Sequence, residues 1–563
     1  MLFALSFPPA DLGVLAWVAL VPLLLSIHDL EPKQTLRLGF LGGFIGFFLV
    51  VSWIRVYGLP VWLLLSAYLA LQCGAFAGAH RWIAQGRSPW VGVASVPLLW
   101  TSLEFLRSIG PFGFPWALLG VTQHAFLPAI QVARIAGVFG VSFLVSLGSA
   151  FVFAVLQRRL FAAAVPAALI ALAVAWGGRQ IDPVPAASLQ VAAVQPNIAQ
   201  GAKFDPSHAR EIMVGLEQLV RRASKQNPKL VIFPETAVPV NLFGPGGVLP
   251  EVGRWANAAR MTVIASSLEN GESNTAVAVA PSGQATDRYD KVRLVAFGEA
   301  GIRPGNQHKP LWTPEGRVGI AICFESIFPD VARTLTRNGA EILAVITNDG
   351  VIATNSPVDR WAGPEQHAAH AVFRAVETGQ WVIRAANIGL TQIIDPAGRI
   401  RAALPRGQAD VLAGRVAMVR APTPYAARGD VFAWAALIVT GIVALPRAIP
   451  WLAARSREQV FQQAAAATAL PALATWLLLH SRAPSWLWVG VLLTFAAIFS
   501  VLRRPERGFR SSSSRLEPAG SASRSHSSSL PWQWRAGCGA THSPRSQSRW
   551  VRGGRLLWPR SWA

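Results

Sequence analysis

Cysteine is scarce. Cys73, Cys323 and Cys538 are the only three in 563 residues, and they lie far apart. Three such thiols provide no disulfide framework and no metal-ligand spacing. Lysine is scarce too: six lysines stand against 45 arginines, which together make the 51 basic residues. With 29 acidic residues the formal charge is +22. Basic charge raises the question of nucleic acid, but here it lies at the edges of apolar runs and in the tail. From Arg503 to Ala563 there are 12 arginines against Glu506 and Glu517, so the tail carries +10 of the +22. No nucleic-acid partner is expected. The layout of a cleavable signal is missing as well, because no basic n-region and no A-x-A site precede the first long apolar run. The opening "MLFALSFPPA" reads as the end of a helix whose start is absent.

Hydrophobic residues make up 52% of the chain, with 22 Trp and 28 Phe. Apolar runs long enough to cross a bilayer decide the class. Spans are predicted near 11–29, 38–56, 60–80, 91–108, 131–156 and 160–177, then near 431–449, 464–481 and 484–502. Lys33, Arg37, Arg81, Arg87, Arg158 and Arg159 fall in one set of loops; Arg55, Arg107 and Arg179 fall in the alternate set. Positive loops stay cytoplasmic, so the sixth span delivers residue 186 to the outside. Arg447, Arg455 and Arg457 inside, Arg482 outside, and Arg503, Arg504 and Arg507 inside agree with that topology. The expected organisation is N-terminal transmembrane helices over 1–180, a catalytic block over 186–425, C-terminal transmembrane helices over 431–502, and a disordered basic Ser/Arg-rich tail over 503–563. The end of that tail is also consistent with a frameshift, and Cys538 is given no role.

Between 186 and 425, strand and helix signals alternate. "SLQVAAVQ", "KLVIFPE", "MTVIASS", "NTAVAVA", "RVGIAIC", "EILAVITND", "QWVIRAAN" and "TQIIDP" read as strands, with amphipathic helices such as 207–226 and 363–378 between them. The fold class is therefore a multi-pass α-helical membrane bundle joined to an extracytoplasmic layered α/β domain, with reactive groups expected at strand ends.

Three strand ends carry such groups. "LVIFPETAVP" puts Glu235 past an apolar strand, "RYDKVRLVAFGE" puts Lys291 after a strand pair, and "GIAICFES" ends its strand on Cys323. A thiol can attack a carbonyl, a carboxylate can take its proton, and an ammonium can stabilise the thiolate and the developing oxyanion. A nearby cation also lowers a thiol's pKa. No His lies close to Cys323 in sequence, so a Cys-His dyad would have to come from folding. Each residue alone has a plainer explanation: a small core hydrophobe, a turn or cap residue, a solvated lysine. Lys291 in so arginine-biased a chain argues for a point ammonium.

The order Glu235, Lys291, Cys323, set in "FPE", "DKVRLVAFGE" and "AICFES", resembles the nitrilase superfamily. With the flanking spans it is similar to the superfamily's membrane-embedded branch, the apolipoprotein N-acyltransferase family. Supporting stretches are "GPFGFPWALLGVTQ", "GVFGVSFL", "VQPNIAQGAKFD" and "QHAAHAVFRAVETGQWVIRAANIGLTQIIDPAGRI", over about residues 1–450. The resemblance implies an αββα sandwich with Glu235 as general base, Lys291 as stabiliser of thiolate and oxyanion, and Cys323 as nucleophile. Glu299, Glu325 and Phe324 would support the site. It also implies transfer of an acyl chain from a membrane phospholipid, through a thioester on Cys323, to the α-amino group of a diacylglyceryl-modified N-terminal cysteine of a lipoprotein. No cofactor and no metal are implied. The partners would be phospholipid, lipoprotein and bilayer, for a monomer in the bacterial inner membrane with its catalytic domain on the periplasmic face. The alternative is a membrane-anchored amidase that uses the same three residues with water as acceptor.

A cleft opening sideways at the membrane would avoid pulling chains out of lipid at roughly 0.8 kcal/mol per CH₂. The segment 237–255 is a candidate lid. Glu104 and Arg107, at a span end, either pair with each other or meet a headgroup. The sequence departs from the family pattern at Ala296, Ala300, Phe324, Phe204 and the longer stretch 350–361.

Overall fold

The computed structural model describes residues 1–453 except 111, 183, 296 and 297. The spans predicted near 464–481 and 484–502, the 503–563 tail and Cys538 lie outside the described residues.

Among the described residues, four helices are long and apolar enough to cross a membrane: Leu59–Ala84, Ala133–Leu156, Leu160–Gln180 and Val431–Pro450. Helices Pro32–Val50 and Pro89–Ser108 stand beside them, each about 30 Å long. Two predicted spans come out differently. Residues 11–29 do not form one helix; a 3-10 turn, Gly13–Val18, is followed by the short helix Val21–Ile27. The helix predicted over 38–56 ends at Val50, and Ser52–Tyr57 folds as a 3-10 turn. That turn is held by the α/β domain: Arg55 Nη2 donates to Asp359 Oδ1 at 2.6 Å, and Ser52 Oγ donates to Asp359 Oδ2 at 3.0 Å. Helix Ala133–Leu156 kinks at Gly137, φ 66°, where the Tyr425 ring lies 2.4 Å from the position a Cβ would take. Only glycine admits that approach.

Among the described residues, twelve strands form two six-stranded sheets. They are β1 (Leu189–Gln195), β2 (Leu230–Ile232), β3 (Thr262–Glu269), β4 (Ser273–Val279), β5 (Ala285–Asp290), β6 (Leu311–Thr313), β7 (Gly316–Ile322), β8 (Ile342–Thr347), β9 (Val382–Ala386), β10 (Gln392–Ile394), β11 (Ile400–Ala403) and β12 (Asp410–Val416). The orders are β12-β1-β2-β3-β4-β5 and β11-β10-β9-β8-β7-β6. In each sheet three parallel strands, β1–β3 or β7–β9, are flanked by antiparallel ones.

Alternation along the strands builds the layers. Ile342, Ala344 and Ile346 of β8 face Val191, Ile232 and Ile264 of the first sheet in the core between the sheets. Leu343 and Val345 face the other way. The outer face of the first sheet is covered by helices Ala209–Ser224 and Leu249–Ala259, whose Leu216, Leu219, Val252 and Trp255 pack on it. The outer face of the second sheet is covered by Pro329–Arg337 and Ala362–Thr378. Its core runs without a break into the membrane bundle, joining Val345, Val372 and Phe373 to Trp100, Phe105, Trp116 and Val138. This is the αββα sandwich, with one helix layer shared with the bundle.

Helix Ala362–Thr378 is consequently buried on almost every side, and its polar residues must find partners inside. Gln366 is the clearest case. Its Oε1 accepts from the indoles of Trp53 (3.2 Å) and Trp116 (2.7 Å), and its Nε2 donates to the carbonyls of Pro8 (2.8 Å) and Val50 (2.9 Å). Truncation would leave several buried polar groups unpaired, at about 1–3 kcal/mol for each group not rehydrated. Gln366→Ala should therefore lower the apparent Tm of the solubilised protein by several degrees; an unchanged Tm would contradict this account of the junction.

Candidate active site

Two of the three predicted reactive side chains sit where the backbone is held out of ordinary geometry. β7 ends at Ile322, and Cys323 adopts φ 51° as it opens a 3-10 turn. After β2, Phe233 and Pro234 lead to Glu235, and Thr236 follows at φ 44°. Non-glycine residues in this region are uncommon and strained. Lys291 follows β5 directly, its N–H bonded to the Asn274 carbonyl at 2.9 Å. The two sheets thus bring carboxylate, ammonium and thiol together from residues far apart in the chain.

Lys291 is 1% exposed. Its Nζ lies 3.1 Å from Glu235 Oε1 and 2.7 Å from Glu299 Oε1. Asn274 Nδ2 donates to Glu235 Oε1 at 2.8 Å, and the Asn348 N–H reaches Glu235 Oε2 at 3.2 Å. Glu299 Oε2 accepts the Val295 N–H at 2.8 Å. A second buried ammonium, Lys203, donates to the Glu235 main-chain carbonyl at 2.8 Å. The site therefore holds two carboxylates and two ammonium groups, which makes burial of the charges tolerable.

Burial opposes the charge on Lys291, but Glu235, Cys323 and Glu299 outweigh it and hold the ammonium above the usual lysine range. Burial also opposes the charge on Glu235, yet Lys291, Lys203 and Asn274 keep its carboxyl below the usual range. Burial brings Lys203 down to about 8, against the pull of Glu235 and Cys323. For Cys323, burial pushes the thiol up; Glu235 and Asp349 add to this, and Lys291 and the Thr347 hydroxyl work against it. A cation beside the thiol led to the expectation of a lowered pKa. The neighbouring carboxylates and burial overturn it. The raised pKa favours the thiol form of Cys323, and Glu235 is the carboxylate that acts most strongly on it.

Glu325 lies two residues past Cys323 and is buried. Its oxygens accept the N–H groups of Val292 (2.8 Å), Arg293 (3.1 Å) and Ile322 (2.8 Å), and the Tyr289 hydroxyl lies 2.9 and 3.0 Å from them. It fastens the backbone after Lys291 to the backbone before Cys323. Phe324 packs against Phe328 and against Phe114 of the membrane part, at ring-centroid distances of 5.1 and 6.2 Å.

Glu104 and Arg107 lie in each other's electrostatic field, with no direct hydrogen bond between them. Both are buried, and their partners are elsewhere. Glu104 accepts from Trp100 Nε1 and the Leu119 N–H; Arg107 donates to Gln72 and to the carbonyls of Phe114 and Trp116. They shape the loop that carries Trp116. The candidate lid, 237–255, is largely pinned. Val238 bridges to Ser267, Glu269 accepts the N–H of Leu242, and residues from Leu249 onward are helical.

Asn274, Asn348, Lys203, Asp349 and His367 join the site without having been expected there. Lys203 could have been, because the scarcity of lysine that singles out Lys291 applies to it equally. Asn348 and Asp349 close a recognised strand. Folding does bring a histidine to Cys323, but His367 Nε2 meets its main-chain oxygen, at 3.1 Å.

Comparison with known proteins agrees with this architecture. Residues 1–151 match the apolipoprotein N-acyltransferase N-terminal domain, and residues 190–422 match the carbon-nitrogen hydrolase family. The apolipoprotein N-acyltransferase of Geobacter metallireducens is 36% identical over 79% of this chain and 93% of its own length. That of Azotobacter vinelandii is 29% identical over 81% and 94%. Among solved structures, Saccharomyces cerevisiae Nit3, of the nitrilase superfamily, is 20% identical over 42% of this chain and 92% of its own, with a TM-score of 0.35. The chain belongs to the apolipoprotein N-acyltransferase family, and it is an acyltransferase that couples a bundle of apolar helices to a nitrilase-like domain.

Proposed function

We propose that the protein transfers an acyl chain from a membrane phospholipid to the N-terminal α-amino group of diacylglyceryl-cysteine in lipoproteins, by way of a thioester on Cys323. The observation that carries this is the buried Glu235–Lys291–Glu299 cluster in the electrostatic field of Cys323, in a domain whose core is continuous with the membrane bundle.

In the first half-reaction the Cys323 sulfur attacks the ester carbonyl of the phospholipid, and Glu235 takes the thiol proton. Lys291 faces the negative charge that develops on the carbonyl oxygen. As the tetrahedral adduct collapses, the C–O bond breaks and Glu235 returns the proton to the leaving alkoxide. A lysophospholipid departs and the acyl thioester remains. In the second half-reaction the lipoprotein amine attacks the thioester carbonyl and gives a proton to Glu235. The C–S bond breaks, an amide forms, and Cys323 regains its proton. Glu299 holds Lys291 in place through both steps, and Glu325 keeps the two reactive strand ends in register.

The arginine pattern of the loops supports an α/β domain on the outer side of the membrane; on this proposal that membrane is the bacterial inner membrane, the outer side is periplasmic, and the protein acts as a monomer. In that arrangement both lipid-borne substrates reach the site without leaving the bilayer.

Purified protein incubated with phospholipid should gain one acyl mass on the Cys323 peptide, removable by hydroxylamine, and a diacylglyceryl-cysteine peptide should then receive that chain. Absence of the adduct, or its survival in Cys323→Ala, would refute the mechanism; release of free fatty acid in place of acyl-peptide would mark a hydrolase. For orientation, a Ser282→Cys variant should react with a membrane-impermeant maleimide in intact spheroplasts, beyond the labelling of the parent protein. Reaction only after lysis would reverse the topology.

A further inference from the structure

Cys323 is held at φ 51°, and strain of this kind persists only where the surroundings fix it. What fixes it lies under the turn. The Cys323 carbonyl accepts the Ser326 hydroxyl at 2.8 Å and meets His367 Nε2 at 3.1 Å, while Nε2 also lies 2.8 Å from Ser326 Oγ. On the other side of the ring, Nδ1 lies 2.8 Å from Asp349 Oδ1. Asp349 is itself held by Arg384 Nη2 at 2.6 Å and the Thr347 hydroxyl at 2.8 Å. His367, Asp349 and Arg384 are all at most 1% exposed. Gly389, at φ 139°, makes room for this packing, since a Cβ there would stand 2.3 Å from Asp349 Oδ2.

The ring is also stacked from the membrane side. Trp116 lies over it at a centroid distance of 5.7 Å and an interplanar angle of 21°. The same Trp116 donates to Gln366, the residue before His367. One turn of helix therefore touches the nucleophile's backbone and the junction with the bundle.

We infer that His367 is a positioning residue for the nucleophile: backed by Asp349 and Arg384, it fixes the Cys323 carbonyl so that the strained turn aims the thiol, and Trp116 and Gln366 anchor that support to the membrane bundle. The inference rests on Cys323 being the nucleophile. His367 itself touches neither the thiol nor, in this role, the substrate.

The test uses the full chain in detergent micelles with a defined phosphatidylethanolamine as donor. Single-turnover acylation and iodoacetamide alkylation are both read on the Cys323 peptide, with Tm as a control. His367→Ala should slow both by about tenfold or more, as misplacement of a reacting group does, with the KM for phospholipid little changed and Tm lowered by no more than the few degrees that the loss of buried polar contacts costs. His367→Gln, whose amide can still donate to the carbonyl, should recover part of the loss. Ser326→Ala should slow both by a smaller factor. If His367→Ala does not fold, His367→Gln and Ser326→Ala carry the comparison, and wild-type rates in both would overturn the inference. Wild-type rates in folded His367→Ala, or an effect confined to KM, would overturn it as well. Cys323→Ala separates the two levels. If it still transfers acyl chains, the nucleophile assignment fails; if it is dead while His367→Ala behaves as wild type, only the positioning role fails.

Discussion

A buried ammonium shared by two carboxylates organises the catalytic domain. Lys291 could not sit at 1% exposure without Glu235 and Glu299, and the buried Glu235 carboxylate in turn needs a cation beside it. Glu235 comes from the connection after β2, and Lys291 and Glu299 from the one after β5, so the cluster ties those two connections together. Removing any one member leaves an uncompensated buried charge, which is far more destabilising than replacing the whole group with apolar residues. The polar cluster therefore serves chemistry at the expense of easy burial. Lys203, held at the back of Glu235, completes the charge balance.

The second constraint is mechanical. An αββα sandwich needs two outer helix layers, and here one of them doubles as the floor on which the membrane bundle rests. Helix Ala362–Thr378 faces both environments and answers with buried polar contacts near its two ends. Gln366 binds the bundle, His367 meets the Cys323 main-chain carbonyl, and Glu377 accepts the Val138 N–H at 2.8 Å beside the Gly137 kink. Burial moves the Glu377 carboxyl up to about 7, opposed by Arg374, so this third contact sits close to a change of charge at neutral pH. On the proposed function, a rigid junction of this sort would suit substrates that stay anchored in lipid while their reacting atoms reach a fixed thiol.

The parts that are legible in the sequence share a physical cause. Strands β1–β4 and β7–β10 announce themselves because their residues are buried on both faces and therefore run apolar. The reactive residues stand at the ends of strands, where a proline or a change of composition marks the stop. What the pattern hides is either exposed or non-local. β11 is mostly exposed, and β6 and β11 lie at sheet edges, so their composition carries little signal. Residues 11–29 are apolar enough for a span, yet Trp17 and Leu20 pack against the Ala133–Leu156 helix through Ser149 and Gly148 as short turns. Asn274 and His367 act through contacts 39 and 44 residues away, a distance at which no local pattern exists. Glu325 stands out in the sequence for its neighbour, Cys323. Its own contacts show it to be a staple between backbones.

On the proposed mechanism, Lys291 and Glu235 set the reactivity of Cys323. The most direct measurement is the pH dependence of Cys323 alkylation in the wild-type protein and in Lys291→Met. Burial and the carboxylates raise the wild-type thiol above its ordinary range while Lys291 pulls it down, so loss of the ammonium should raise it further. Alkylation of the Cys323 peptide near pH 8 should then fall by about tenfold for every further pH step of one that the thiol's titration climbs. An identical alkylation profile in the two proteins would contradict the account.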